Sequence, residues 1–130
     1  MTNGRTLDAT DAASSLLLVM ATDAAVRLYS EWLEQAGYRV EPACSLKQVE
    51  EACHAENFDL ILVADALDAK MKKAAGQAIR HFFPDAPILQ IGRTRPDIGG
   101  NCFVTGVAQE DVLRSVQRIL QHDDIPPAAL

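Results

Sequence analysis

The chain has 130 residues, of which 48% are apolar and 23% charged, a balance that suits one folded domain around one core and excludes a disordered polypeptide. Its formal net charge of -6 disfavours nonspecific attraction to DNA, RNA or anionic lipid. The longest apolar run, Leu16 to Ala21, is too short to cross a bilayer, and Asp8 and Asp11 stand where a signal peptide carries positive charge, so a cytoplasmic protein without membrane contact is expected.

Residues 1–14, "MTNGRTLDATDAAS", have no apolar period and read as a disordered arm. The pattern then changes to "SSLLLVM", a continuous apolar run of the kind that marks a strand buried on both faces of a parallel sheet. From Asp23 onward Ala25, Val26, Leu28, Tyr29, Trp32, Leu33 and Ala36 recur at helical spacing, with Gly37 as the stop. "YRVEPAC" is a second strand, Ser45 a helix N-cap, and Leu46 to Ala55 a short helix whose inner face holds Leu46, Val49 and Cys53.

"FDLILVA" is the third strand. Met71, Ala74, Ala75, Ala78, Ile79 and Phe82 mark the next helix, with Lys70, Lys72, Lys73 and Arg80 assigned to its outer face as solvated charge rather than a docking patch. "APILQI" and "NCFVT" are strands four and five, and Val112, Leu113, Val116, Ile119 and Leu120 give a last amphipathic helix that closes the domain at residue 121. Residues 122–130, "HDDIPPAAL", read as a tail or linker because two prolines cannot continue a helix.

Strands alternating with helices imply an α/β three-layer sandwich, a five-stranded parallel sheet with right-handed crossovers and the flavodoxin-like order 2-1-3-4-5. Ligand chemistry in such a fold collects at the carboxyl ends of the strands, here near Ala21, Ala64, Gly92 and Gly106. One connection is abnormal. Only "GRTRPDIGG" separates Ile91 from Asn101, whereas a crossover that includes its helix needs at least about 10 to 12 residues, so the fourth crossover helix is missing or reduced.

Over about residues 14 to 121 the chain resembles the receiver domain of bacterial two-component response regulators. "LLLVMATDAAVRLYSEWLEQAGYRV" resembles that family's opening strand, first helix and second strand; "DLILVA" resembles D-L-I-L-L-D, "APILQIG" resembles P-V-I-x-L-T, and "FVTGV" resembles Y-x-T-K-P. The resemblance implies a role in phosphorelay signal transduction, but the residues that carry the family's chemistry are replaced. The two acids that help hold Mg²⁺ fall on Ala21 and Thr22, the phosphate-accepting aspartate on Ala64, the hydroxyl residue after strand four on Gly92, and the lysine after strand five on Gly106.

Those replacements have a meaning apart from the family. Mg²⁺ requires carboxylate oxygens in near-octahedral geometry, and phosphoryl transfer depends on charge neutralisation around the transferred group. A pseudo-receiver that binds no metal, uses no cofactor, catalyses nothing and acts by protein contact is therefore expected. Asp65 lies one residue beyond the lost acceptor, and a one-residue shift in a strand turns a side chain to the opposite face, so Asp65 accepts phosphate from a histidine kinase only if a bulge restores its direction. Val107 replaces the family's proline, and the Gly106–Val107 bond is expected to be trans because a cis bond before a residue other than proline costs about 2.5 to 4 kcal/mol.

The shortened crossover carries only Ile98 as a sizeable aliphatic residue, leaving strands four and five thinly covered. Gln90, Ile98 and Phe103 are the residues expected on a contact surface there, for a second copy or for a regulator or kinase. Other classes fit less well. "MATDAAV" is neither a phosphate-binding loop nor a cobalamin motif, which weakens a flavodoxin-like small-ligand domain. Cys44, Cys53 and Cys102 show no Cys-x-x-Cys spacing, and His54, His81 and His122 have no evident third partner, so neither a zinc site nor a Cys/His hydrolase is indicated.

Overall fold

The computed structural model describes residues 14–64, 67–92 and 101–121. In chain order they form β1 (Ser15–Val19), α1 (Asp23–Gln35), β2 (Arg39–Ala43), α2 (Leu46–Ala55), β3 (Leu60–Ala64), α3 (Ala69–Phe82), β4 (Ile88–Ile91), β5 (Cys102–Thr105) and α4 (Gln109–Gln121). The five strands pair in parallel in the order β2-β1-β3-β4-β5, the expected 2-1-3-4-5 topology. Four helices among the described residues agree with a missing or reduced crossover helix between β4 and β5.

Helix starts are written locally. Thr22, Ser45 and Asp68 hold extended backbone, and their side-chain oxygens accept the amides of Ala25 at 3.1 Å, Gln48 at 3.2 Å and Met71 at 2.8 Å. Each satisfies an amide that the first helical turn leaves without an intrahelical partner. After α1 the chain turns at Gly37, whose φ of 99° favours a residue without Cβ.

Period-two alternation divides the strand side chains between two cores. Leu17, Val19, Ile61, Val63 and Ile88 meet Val49, Ala52 and Cys53 of α2 and Ala75 and Ile79 of α3. Leu16, Leu18, Leu60, Leu62, Leu89 and Ile91 meet Leu33 of α1 and Val112, Val116 and Ile119 of α4. All five residues of β3 are buried, so a slip of one residue would exchange both faces at once.

The basic cluster on α3 is not the solvated face expected for it. Lys70 and Lys73 are exposed, but Lys72 is buried and Arg80 is half-buried. The reason is the helix's arc toward the sheet, which runs through Lys72, Ala75, Gly76 and Ile79 at i, i+3, i+4 and i+7, while Met71, Ala78 and Phe82 flank it. Arg80 donates to the carbonyls of Phe83, Pro84 and Ala86 beyond the helix end and, at 2.9 Å, to that of Asn101 just before β5. Its guanidinium therefore ties the end of α3 and the α3–β4 connection to the residue that leads into β5, and burial lowers its pKa.

Asp65, Ile98, the arm at residues 1–13 and the tail at 122–130 with His122 lie outside the described residues. The Arg80 fork gives a first prediction. Arg80→Ala should lower the unfolding free energy in urea titration by about 1.5–3 kcal/mol, the range for hydrogen bonds made by a charged group. Lys73→Ala, on the exposed side of the same helix, should stay within about 0.5 kcal/mol of wild type.

Candidate functional site

In a parallel sheet every strand points the same way, so the ends of β1, β3, β4 and β5 and the starts of α1, α3 and α4 gather at one end of the molecule. Ala21 and Thr22 follow β1 and are exposed; the Thr22 hydroxyl is engaged as the cap of α1. Ala64 closes β3, is 8% exposed and stands opposite Ile91 in the ladder. Gly92 follows β4 with a φ of 95°, and its amide donates to the Thr105 carbonyl at 2.7 Å.

Gly106 is exposed, and a Cβ built there would lie 3.1 Å from Oδ2 of Asp111. Asp111 belongs with Glu110 to the first turn of α4, where negative charge is favoured by the amide end of the helix. Beside Gly106, the position that the resemblance aligns with the family's lysine, the fold thus sets a carboxylate. The described residues contain no cis peptide bond, so Gly106–Val107 is trans as expected.

Among the described residues the donor set at these strand ends does not fit Mg²⁺. Ala21 offers no oxygen from its side chain, Thr22 has committed its hydroxyl, and Asp23 is in the first turn of α1, where its Oδ1 accepts the Cys44 thiol at 3.7 Å. Among the described residues no group of three or more His, Cys, Asp or Glu side chains is placed to hold a metal ion.

Three contacts at or near this end were not anticipated from the sequence. Gly106 and Asp111 meet because β5 turns directly into α4; their spacing alone did not signal it. The Cys44 thiol faces Asp23, and desolvation first, then that carboxylate, push its pKa up. Tyr29 donates its hydroxyl to the Val107 carbonyl at 3.3 Å, which ties α1 to the turn between β5 and α4. Burial likewise pushes up the Cys53 thiol and the Tyr29 hydroxyl.

The three residues expected on one contact surface do not stand together. Gln90 shares the α2/α3 side of the sheet with Ile88 but is fully buried, its Oε1 accepting the Cys102 thiol at 3.2 Å. Phe103 pairs with Leu89 in register and packs on the other side, against the core that includes Val112 and Val116. Ile98 lies outside the described residues. The accessible part of this end of the sheet is β5, three of whose four residues are half-buried.

The fold is that of receiver domains. The chemotaxis protein CheY4 of Vibrio cholerae superposes with a TM-score of 0.71 at 23% identity over 83% of this chain and 99% of that one. The receiver domain protein of Methanospirillum hungatei gives 0.73 at 18% identity, covering 86% and 97%. The receiver domain of the sensor histidine kinase PA1611 of Pseudomonas aeruginosa, which holds a magnesium ion in its active site cleft, gives 0.65 at 22% identity, covering 84% and 95%. No family model and no curated protein sequence matches the chain.

The Asp23–Cys44 contact sets a test of the geometry at this end. Because Asp23 helps hold the thiol protonated, Asp23→Asn should increase the rate at which Cys44 is alkylated at about pH 8, with buried Cys53 remaining slow. Peptide mass mapping after timed alkylation reads both rates.

Proposed function

We propose that this chain is a receiver-fold domain of two-component signal transduction that works by protein contact and accepts no phosphoryl group. One observation carries the reading: the Asp111 carboxylate stands 3.1 Å from where a side chain at Gly106 would begin, so the corner that lacks the ammonium a phosphoryl group needs carries negative charge instead. Like charge there raises the cost of bringing in a dianionic group, and the chain offers no acid pair at Ala21 and Thr22 to hold a compensating metal. The likeness to receiver folds supports the signalling context, and the partner is a regulator, a kinase or a second copy, met at the β4/β5 end of the sheet.

A second reading has one observation behind it. Lys72 is buried in the opening turn of α3, an element that starts at the same end of the sheet a few residues beyond Asp65. An ammonium group there stands in for the missing lysine if Asp65 is the acceptor. The two readings separate cleanly by experiment.

Intact-mass spectrometry after incubation with a small phosphodonor and Mg²⁺ should find no phosphoryl adduct on wild type or on Asp65→Asn. A single adduct on wild type that vanishes in Asp65→Asn would replace the contact reading with the active receiver.

A further inference from the structure

The two edges of the sheet are built differently. β2, at one edge, reads "RVEPA", and Arg39, Glu41 and Pro42 guard it: charges resist stacking against a neighbour, and proline has no amide to donate. β5, at the other edge, reads "CFVT", with neither charge nor proline. The uncharged stretch continues through "GVA" to residue 108 and includes Val107, which is 61% exposed. Unguarded edges of β-branched and aromatic residues are templates for another strand.

The hydrogen-bond phase identifies which residue of β5 offers itself. The amides of Ile88 and Gly92 donate to the carbonyls of Asn101 and Thr105 at 2.9 and 2.7 Å. A strand in a parallel ladder bonds one neighbour through alternate residues, so Asn101, Phe103 and Thr105 address β4. Val104 therefore directs its N–H and C=O away from the sheet.

We infer that β5 pairs edge to edge with β5 of a second copy, antiparallel about a two-fold axis at Val104. The inference rests on the reading that this end of the sheet is the contact surface, and it names the partner. A two-fold axis there lets each Val104 amide donate to the other's carbonyl, with the Val104 side chains adjacent on the Gln90 side and Phe103 opposite the copy's Thr105 on the other. A second copy fits better than a charged partner because the strip offers nothing to an ion pair. It is also where two chains of net charge -6 approach with no like charge on the contacting residues. So short a contact belongs to the weak, concentration-dependent class of association.

Sedimentation of the full chain from low to high micromolar concentration should show a dimer that grows with concentration and with added salt, because salt screens the repulsion between two acidic chains. Val104→Pro removes an amide that the β4–β5 ladder does not use, so it should leave far-UV circular dichroism unchanged and weaken the dimer by about tenfold or more. Val104→Cys, with Cys44, Cys53 and Cys102 replaced by Ala, should form a disulfide-linked dimer under mild oxidation, since hydrogen-bonded antiparallel pairs place Cα atoms about 5.5 Å apart. Leu28→Cys in the same background, at an exposed position on α1, should not.

A wild type that stays monomeric throughout would overturn the inference. So would a dimer that Val104→Pro leaves intact, or one that cross-links equally through residue 28. Each of these outcomes leaves the contact reading itself in place, whereas a phosphoryl adduct lost in Asp65→Asn overturns that reading without touching the dimer.

Discussion

The burial of β3 on both faces is the constraint on which the rest of the structure depends. Leu60, Leu62 and Ala64 face one core while Ile61 and Val63 face the other, and both sets are buried, so the strand has a single permitted register against β1 and β4. That register fixes which residue ends the strand. It is Ala64, and the acidic residue that follows comes after the last described rung of the ladder.

The same end illustrates how local charge follows element geometry. Asp111 is favoured where it stands by the amide end of α4, and the absence of a Cβ at Gly106 leaves room for its carboxylate. Asp23 likewise sits at the start of α1 and engages the Cys44 thiol. Two carboxylates thus stand at helix starts beside the strand ends, an arrangement that the amide ends of the helices favour.

Much of the architecture was legible in the sequence because its signals are local. Continuous apolar runs gave the strands, Ser45 and the 3.6-residue period gave the helix from Leu46 to about Ala55, and Gly37 marked the turn after the first helix. What the sequence left hidden depends on pairing between distant elements. Gln90 and Phe103 were grouped on one surface, but the β4–β5 register sets Gln90 beside Val104 and Phe103 beside Leu89, on opposite faces. Lys72 and Arg80 read as solvated in the sequence, yet the arc of α3 that meets the sheet includes Lys72, and Arg80 turns toward carbonyls of the α3–β4 connection and of Asn101 just before β5. The contact between Gly106 and Asp111 depends on the angle at which α4 leaves β5, which no periodicity encodes.

The shortened crossover links fold and function. Arg80 bonds the carbonyl of Asn101, where the crossover enters β5, together with those of the α3–β4 connection; the sheet has fewer described helices than strands, and β5 is an edge with no charged side chain of its own. The central claim is that the strand ends hold neither metal nor phosphate. Its most direct test is a Mg²⁺ titration of the isotopically labelled chain, followed through the backbone amide resonances of Ala21, Ala64, Gly92 and Gly106. The account predicts that these amides show no saturable shift up to millimolar Mg²⁺; a saturable shift confined to them would contradict it.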